Sequence, residues 1–343
     1  MPGGRCTLSI YSEGVVFEPS LPPVHKMLKR ILILLALIAL ANTRQPFGQQ
    51  PAAPHLPPAE LEELIRRAEL RVNEYRDKFK DLTAEEEQEI EEYDADGKLK
   101  RRRRIVSDLI IYQSQLDPSS MSEYRDVRSV DGRAVAKREE RLVNLFGRLA
   151  KAGSVKKELD RITRESQRYD LRYSINNFTL LEGQLLSGNL RPSLQFTAAG
   201  REQVNGRDAI VLQYQQVAYN PEMAFKLSSL PKELKGAETR FRGRLWLDAE
   251  TAQLWREERE VMLQHPSLTR PLLLMRFEFE YAGSNFGILT PQRVVFSVYD
   301  KGRTGADNAR ELRLGEKVTF KYSGFRRFDV GTPDASVAPP AKP

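Results

Sequence analysis

From about residue 190 onward the chain alternates apolar and polar side chains with period two, and no other feature limits its fold as strongly. Leu194 and Phe196 share a face, as do Ile210, Leu212 and Tyr214. Phe241, Leu245 and Leu247 alternate with Arg242, Arg244 and Trp246, and the return segment carries Leu254, Trp255 and then Glu257 to Glu260. Phe277, Phe279 and Tyr281 alternate with Arg276, Glu278 and Glu280. Val294, Phe296 and Val298 follow, with Pro291 at the strand start where proline is tolerated, and then Val318, Phe320 and Tyr322. Short polar turns such as Asn205-Gly206 and Asp248 to Ala252 separate these runs, so the strands are antiparallel neighbours. A sheet with one apolar face has to cover that face.

The covers are expected in the first half of the chain. Pro57-Pro58 sit where a helix accepts proline, in its first turn. Leu61, Leu64, Ile65, Ala68, Val72, Tyr75 and Phe79 then form one stripe at helical spacing. Leu142, Leu145, Phe146 and Leu149 form a second stripe ending near Gly153, and Ser154 caps a third helix to about Arg168. Between them lies an acidic run from Glu85 to Glu92, the turn Asp94-Ala95-Asp96-Gly97, and a basic run from Lys98 to Arg104. Folded at Asp96-Gly97, this places Glu92, Glu91 and Glu89 near Arg101, Arg102 and Arg104. The competing reading is a helix capped by Thr83 and Glu86, which would bury only Ile90 and Tyr93. Val106 to Tyr112 is apolar on both faces and belongs inside a sheet, and Val130-Asp131-Gly132-Arg133 predicts a second hairpin. The expected fold class is α+β: a curved antiparallel β-sheet, an incomplete barrel, covered by a few α-helices.

Lys29-Arg30, the apolar run Ile31 to Ala41 and the small residues Ala39 and Ala41 make up the three parts of a cleavable signal peptide, residues 27–41. The run has 11 residues, against the roughly 20 that a spanning helix requires. Its other readings are a buried core helix or an uncleaved anchor. Residues 1–26 have no such pattern and read as a non-native extension ahead of a start at Met27. Residues 42–58 form a Pro- and Gln-rich linker, residues 59–330 a single β-rich domain, and residues 331–343 a tail without apolar pattern, expected to be disordered. The exported product contains no cysteine, because Cys6 precedes the signal, so disulfides and thiol chemistry are excluded. The net charge of +7 falls to +5 beyond Ala41 and is dispersed, so no nucleic-acid partner is expected.

Catalytic signatures are sparse. The exported part has two histidines, His55 in the linker and His265 before Pro266 in a turn, neither with a metal-ligand partner at useful spacing. Ser154 to Lys157 and Ser229 to Lys232 fit S-x-x-K but lack that motif's companions. Asp94 to Gly97 has its glycine in the fourth place, where a calcium loop needs it sixth. Arg101 to Arg104 reads as a paired, solvated strand face. Glu278 and Glu280 project from one strand face, but their alternation with aromatic residues reads as a solvated face, so carboxylate-dependent hydrolysis, the remaining enzymatic alternative, is supported only by abundant Glu and Asp. No cofactor or metal is expected.

Two passages carry a family resemblance: Gly206 to Tyr214 (GRDAIVLQY) and Arg244 to Arg256 (RLWLDAETAQLWR). A glycine turn into an alternating strand, then a strand ending in W-x-D before a hairpin, resembles the periplasmic lipoprotein-carrier superfamily, which includes the outer-membrane lipoprotein-sorting proteins. Phe277 to Val298, with Leu289-Thr290-Pro291 at its second strand, is similar to the closing strands of that fold. Asp96-Gly97 and the ending Gly324-Phe325-Arg326-Arg327-Phe328 resemble other exported bacterial proteins. The resemblance implies an incomplete barrel wrapped over helices, an apolar cavity between them, and acyl-chain binding without enzymatic activity.

The leading expectation is therefore an exported, periplasmic or secreted, non-enzymatic carrier or sensor of lipid or lipoprotein, with no stable membrane anchor after cleavage. The alternative is an envelope protein–protein interaction module with a filled core. The candidate ligand-lining set, one face per strand, is Leu245, Leu247, Phe277, Phe279, Val294, Phe296 and Phe320. Cleavage after Ala41 or within the next several residues leaves a mature N-terminus in the Gln- and Pro-rich segment, which mass measurement of envelope-fraction protein checks. An intact N-terminus at Met1 or Met27 would overturn this reading.

Overall fold

The computed structural model describes residues 56–113, 121–138, 161, 164–171, 183–223, 234, 236–304 and 310–327. The first helix, α1 (Pro58–Lys78), begins at its proline pair and buries the expected stripe of Leu64, Ile65, Ala68, Val72 and Tyr75. The chain then forms β1 (Leu82–Tyr93), β2 (Leu99–Gln113), β3 (Met121–Val130) and β4 (Arg133–Ala134). After a long excursion it forms β5 (Leu194–Val204), β6 (Arg207–Gln216), β7 (Glu238–Asp248), β8 (Leu254–Gln264), β9 (Leu272–Gly283), β10 (Leu289–Thr304) and β11 (Arg310–Arg327). Among the described residues these make one antiparallel 11-stranded sheet, ordered β4-β3-β2-β1-β11-β10-β9-β8-β7-β6-β5. The sheet is open, with β4 and β5 at its two edges.

Turn chemistry set the hairpins. Asn205 and Gly206 adopt φ of 53° and 76°, and Asp131 and Gly132 adopt 50° and 77°. Positive φ at both central residues is what two-residue hairpin turns require. Asp94 accepts hydrogen bonds from the backbone N–H groups of Asp96 and Lys98 at 2.9 Å, closing the turn that ends at Gly97. Residues 83–93 are strand, not helix: Glu89, Glu91 and Glu92 stand opposite Arg104, Arg102 and Arg101 in the β1–β2 register. Arg102 pairs with Glu91 directly opposite and with Glu89 on the diagonal, and Arg104 pairs diagonally with Glu87. Arg103 departs from the expectation of a solvated basic face. It points to the other side and donates to the carbonyl of Tyr169 at 2.8 Å. β2 lies between β1 and β3, as its two apolar faces require. Of the helix pair expected between 138 and 168, residues 138, 161 and 164–168 are described; 138, 161 and 164–166 are helical, and 167–168 belong to a turn. The signal segment, most of the linker and the tail also lie outside the described residues.

α1 lies over the inner face of the sheet. Arg67 and Arg71 donate to the carbonyls of Glu250 and Thr251 in the β7–β8 turn, and Arg327 of β11 donates to the carbonyl of Lys78. Tyr75 stacks on Phe79 at 4.5 Å, and Phe79 meets Phe325 at 5.8 Å. Val72 packs so closely on the turn at Gly183 that a Cβ there would clash with it.

On the outer face, Trp246 is 1% exposed although its neighbours Arg242 and Arg244 reach solvent. The guanidinium planes of Arg244 and Arg256 cover it from 4.8 and 4.6 Å, Ala209 and Val211 pack beside it, and its indole N–H donates to Glu202 at 2.8 Å. Gly243 marks the tightest approach in the sheet. It stands opposite Tyr214, and a Cβ on it would run into the backbone carbonyl oxygen of Glu258 and the Tyr214 hydroxyl. A glycine inside a strand at such a site lets neighbouring backbone come close, and the Tyr214 ring occupies the space left open. Gly243→Ala is expected to destabilise the protein by about 1–3 kcal/mol through overpacking, read from urea unfolding midpoints. An unchanged midpoint would mean that β7 and β8 adjust without loss.

Candidate functional site

The seven apolar residues singled out from the strand alternation come together in one core cluster on the inner face. Leu245, Leu247, Val294 and Phe320 are fully buried, Phe279 is 1% exposed, and Phe296 and Phe277 are 5% and 6% exposed. The β9–β10 register sets Phe277 opposite Phe296 with ring centroids 4.9 Å apart, and Val294 stands between Phe279 and Phe320. This arrangement follows from alternation alone, since every second residue of adjacent in-register strands shares a face.

The same face also holds charges. In β1 the inward positions are Leu82, Ala84, Glu86, Gln88 and Ile90, so Glu86 and Gln88 are buried with their apolar neighbours. Arg125 of β3 donates to Glu86 at 2.7 Å and to Glu123 at 3.2 Å, and its guanidinium lies 5.3 Å from the Phe320 ring centroid. Burial pushes the Glu86 carboxyl above its ordinary range despite Arg125 beside it. Burial alone would lower the Arg125 pKa, but Glu86 and Glu123 outweigh it and hold the guanidinium charged. A second pair lies across the aromatic rows. Arg259 of β8 donates to Glu257 at 2.8 Å, and its guanidinium stands 5.4 Å from the Phe279 ring. Burial and the nearby Glu257 raise the Tyr214 hydroxyl well above its usual value. Two arginines thus reach over the rings of Phe320 and Phe279 from opposite sides, each held by buried glutamate.

The segment 164–171 sits over the polar end of this face. The backbone N–H of Arg125 donates to Ser166 Oγ at 3.0 Å, and Gln88 donates to Asp170 at 3.3 Å. None of these buried groups was singled out from the sequence, where Glu85 to Glu92 and Glu257 to Glu260 read as acidic faces set against basic strands. The signal was present as phase. Once Ile90 and Val261 point inward, Glu86, Gln88, Glu257 and Arg259 must do so too.

Near α1 the inner face opens to solvent. A groove of ≈ 500 Å³ is lined by Pro58, Leu61 and Ile65 of the helix, by Pro192, and by Leu194 and Phe196 of the edge strand β5. Glu62 and Arg191 form an ion pair at its rim. Leu194 belongs to the same core as the seven inner residues, and Leu61 and Phe196 pack against that core. The acidic pair Glu278 and Glu280 is elsewhere, half-buried on the outer face, with Glu280 paired to Arg293 at 3.1 Å. His265 lies in the β8–β9 turn beside Ser267 at 2.6 Å, and His55 lies outside the described residues. Among the described residues, no group of three or more His, Cys, Asp or Glu side chains is placed to hold a metal ion, and no helix is long and apolar enough to cross a membrane.

No family model matches the chain, and no curated protein matches it. The chain is similar to solved lipoprotein-sorting-like domains. One is a DUF1329 family protein from Desulfovibrio piger, with 13% identity over 80% of this chain and 95% of that one, at a TM-score of 0.33. Another is a putative outer membrane lipoprotein-sorting protein domain from Vibrio parahaemolyticus, with 12% identity over 80% and 95% and a TM-score of 0.33. The MucA/MucB complex of Pseudomonas aeruginosa aligns with 13% identity over 76% and 99%, at a TM-score of 0.18. An outer membrane lipoprotein-sorting protein domain is thus among the structures the chain is similar to, at low identity. Similarity of this degree assigns no ligand, partner or activity to this chain.

The aspartate of the W-x-D motif has a structural task. Asp248 is buried and accepts hydrogen bonds from Thr251 N at 2.8 Å, Glu250 N at 3.1 Å, the Trp255 indole at 3.1 Å and Arg207 Nε at 2.7 Å. Burial acts to raise its pKa, but these donors win and hold the carboxyl well below the usual carboxylate range. A group depressed in this way stabilises the fold above its unfolded pKa, and that contribution is lost as the pH falls. Asp248→Asn is therefore expected to lower stability at pH 7, with the difference from wild type closing below about pH 4, the ordinary carboxylate range. Urea titrations at pH 7 and pH 3 check this. A difference independent of pH would assign the loss to geometry and not to charge.

Proposed function

We propose that this chain is an exported, non-enzymatic lipid- or lipoprotein-binding carrier or sensor of the bacterial envelope, periplasmic or secreted. The observation that carries the reading is the apolar groove between α1 and β5, which runs into the inner-face core. Its volume of ≈ 500 Å³ falls within the range of about 300–1,000 Å³ typical of small-molecule sites. A chain laid between Leu61, Ile65 and Phe196 gains roughly 0.8 kcal/mol per buried CH₂ and needs no polar chemistry to bind. In this reading the extended lining is Leu245, Leu247, Phe277, Phe279, Val294, Phe296 and Phe320, which are packed against one another in the core and part to admit a chain entering from the groove. The Met27–Ala41 signal supplies the export, and the similarity to lipoprotein-sorting-like structures is in keeping with it without deciding it.

A second reading, an envelope interaction module with a filled core, is favoured by one specific feature. The guanidinium groups of Arg125 and Arg259 lie over Phe320 and Phe279, and the lining residues are buried among one another.

Uptake of a hydrophobic fluorophore, displaced by a fatty acid, separates the two. Phe196 is partly exposed at the groove, so Phe196→Asp is expected to abolish uptake while the thermal melt is preserved. Phe279→Asp and Phe296→Asp test the deeper lining, with folding monitored in parallel. Absence of uptake by a folded, lipid-free wild-type protein would move the assignment to the interaction module.

A further inference from the structure

The face of the sheet turned away from α1 carries a concave trough of ≈ 660 Å³, on the side opposite the apolar groove. Strand register fixes its walls as two rows that run across five strands. One row is Gln195, Gln215, Arg242, Glu260 and Arg276. The other is Thr197, Gln213, Arg244, Glu258 and Glu278. Five strands span four spacings, roughly 19 Å at about 4.8 Å per strand. Gly243 lies between the rows, where neighbouring backbone of β8 approaches closely.

The charges are matched within the trough. Glu260 accepts from Arg242 at 2.7 Å and from Arg276 at 3.0 Å, and Glu258 accepts from Arg244 at 3.1 Å and Arg256 at 2.5 Å. The two rows carry three arginines and three glutamates, and Arg256 beside Glu258 adds one further cation, so the near-balanced charge favours neither a polyanion nor a polycation. Pairing also fixes these planar groups, and their remaining N–H donors and carboxylate lone pairs are presented at set positions. The β5–β6 end is neutral, with Gln195, Gln213, Gln215 and Thr197 all exposed. Fixed donors and acceptors with nearly balanced charge suit a neutral, hydroxyl-rich ligand. The repeat along the trough decides its form. An extended peptide advances about 3.3 Å per residue and falls out of step with strands about 4.8 Å apart. The sugar repeat of an extended β-linked glycan is close to the strand spacing, so successive sugars meet successive strands.

We propose that this trough binds a neutral glycan strand lying across β5 to β9. The proposal stands on the outer face alone and is independent of the acyl-chain reading.

Calorimetric titration of the purified full chain with the β-1,4-linked N-acetylglucosamine hexamer tests it, with the dimer as a length control. Saturable hexamer binding is expected, at least tenfold weaker for the dimer, and unaffected by added salt because the ligand is neutral. Gln213→Trp obstructs the neutral β5–β6 end of the trough from an exposed position and is expected to weaken hexamer binding at least tenfold with an unchanged melting temperature. If that variant melts early, Gln195→Ala combined with Thr197→Ala on the edge strand reads the same loss. No saturable hexamer binding, equal binding by wild type and the folded variant, or binding abolished by salt overturns the proposal. Saturable binding of an unstructured polar peptide in place of the hexamer overturns it in favour of a peptide site.

Discussion

The sheet depends on the ladder between β1 and β11. These strands are separated by most of the domain in sequence, yet they pair from Leu82 opposite Arg327 to Glu92 opposite Glu316. β1 to β4 form one meander and β5 to β11 another, and this seam is what joins them. Without it, both β1 and β11 become unpaired edges. The seam also aligns the inner rows, because it sets Glu86 beside Tyr322 and Ile90 beside Val318. From there the register passes through Phe320 and Val294 to Phe279, so the continuous apolar face exists only because the two meanders meet in phase. Contacts of such long sequence separation carry a high closure entropy, and the apolar face with α1 across it supplies the offsetting burial.

That face is not uniformly apolar, and its polar members are costly. A buried ion pair recovers its desolvation only when its geometry is good and its remaining atoms are bonded. Arg125 meets both Glu86 and Glu123, ties β3 to β1, and covers Phe320. Arg259 and Glu257 are neighbours on β8, and Arg259 covers Phe279. The two sites limit how much ring surface a ligand can reach. Apolar surface continuous with this core is reachable at the α1–β5 end, where Leu61 and Phe196 are only partly covered.

The two faces divide the chemistry. The inner one is apolar with a few locked charges and opens at the groove between α1 and β5, and the outer one is a lattice of matched charges and amides. Gly243 borders both, because its missing side chain gives Tyr214 room on the inner side and it lies among the residues of the outer trough. The hairpin of β7 and β8, stapled by Asp248, carries both surfaces and also receives Arg67 and Arg71 of α1. The W-x-D passage is thus a turn that positions several elements.

Local pattern was sufficient for much of this. Period-two runs fixed which residues are strand and which of them share a face, and Asn205-Gly206 and Asp131-Gly132 fixed hairpins because few other residues adopt their backbone angles. The stripe from Leu61 to Phe79 fixed α1, and the order of charge in Glu85 to Arg104 fixed the β1–β2 register. The seven inner residues were likewise legible as one face. The burial of Glu86, Glu123, Arg125, Glu257 and Arg259 was not read, since a charged residue in a polar run is normally solvated and only the phase of its apolar neighbours says otherwise. Which strand closes on which, the groove between α1 and β5, and the two polar rows on the outer face came only from tertiary structure. Each brings together residues far apart in the chain, and alternation specifies a side of a strand without specifying the neighbour that will stand beside it.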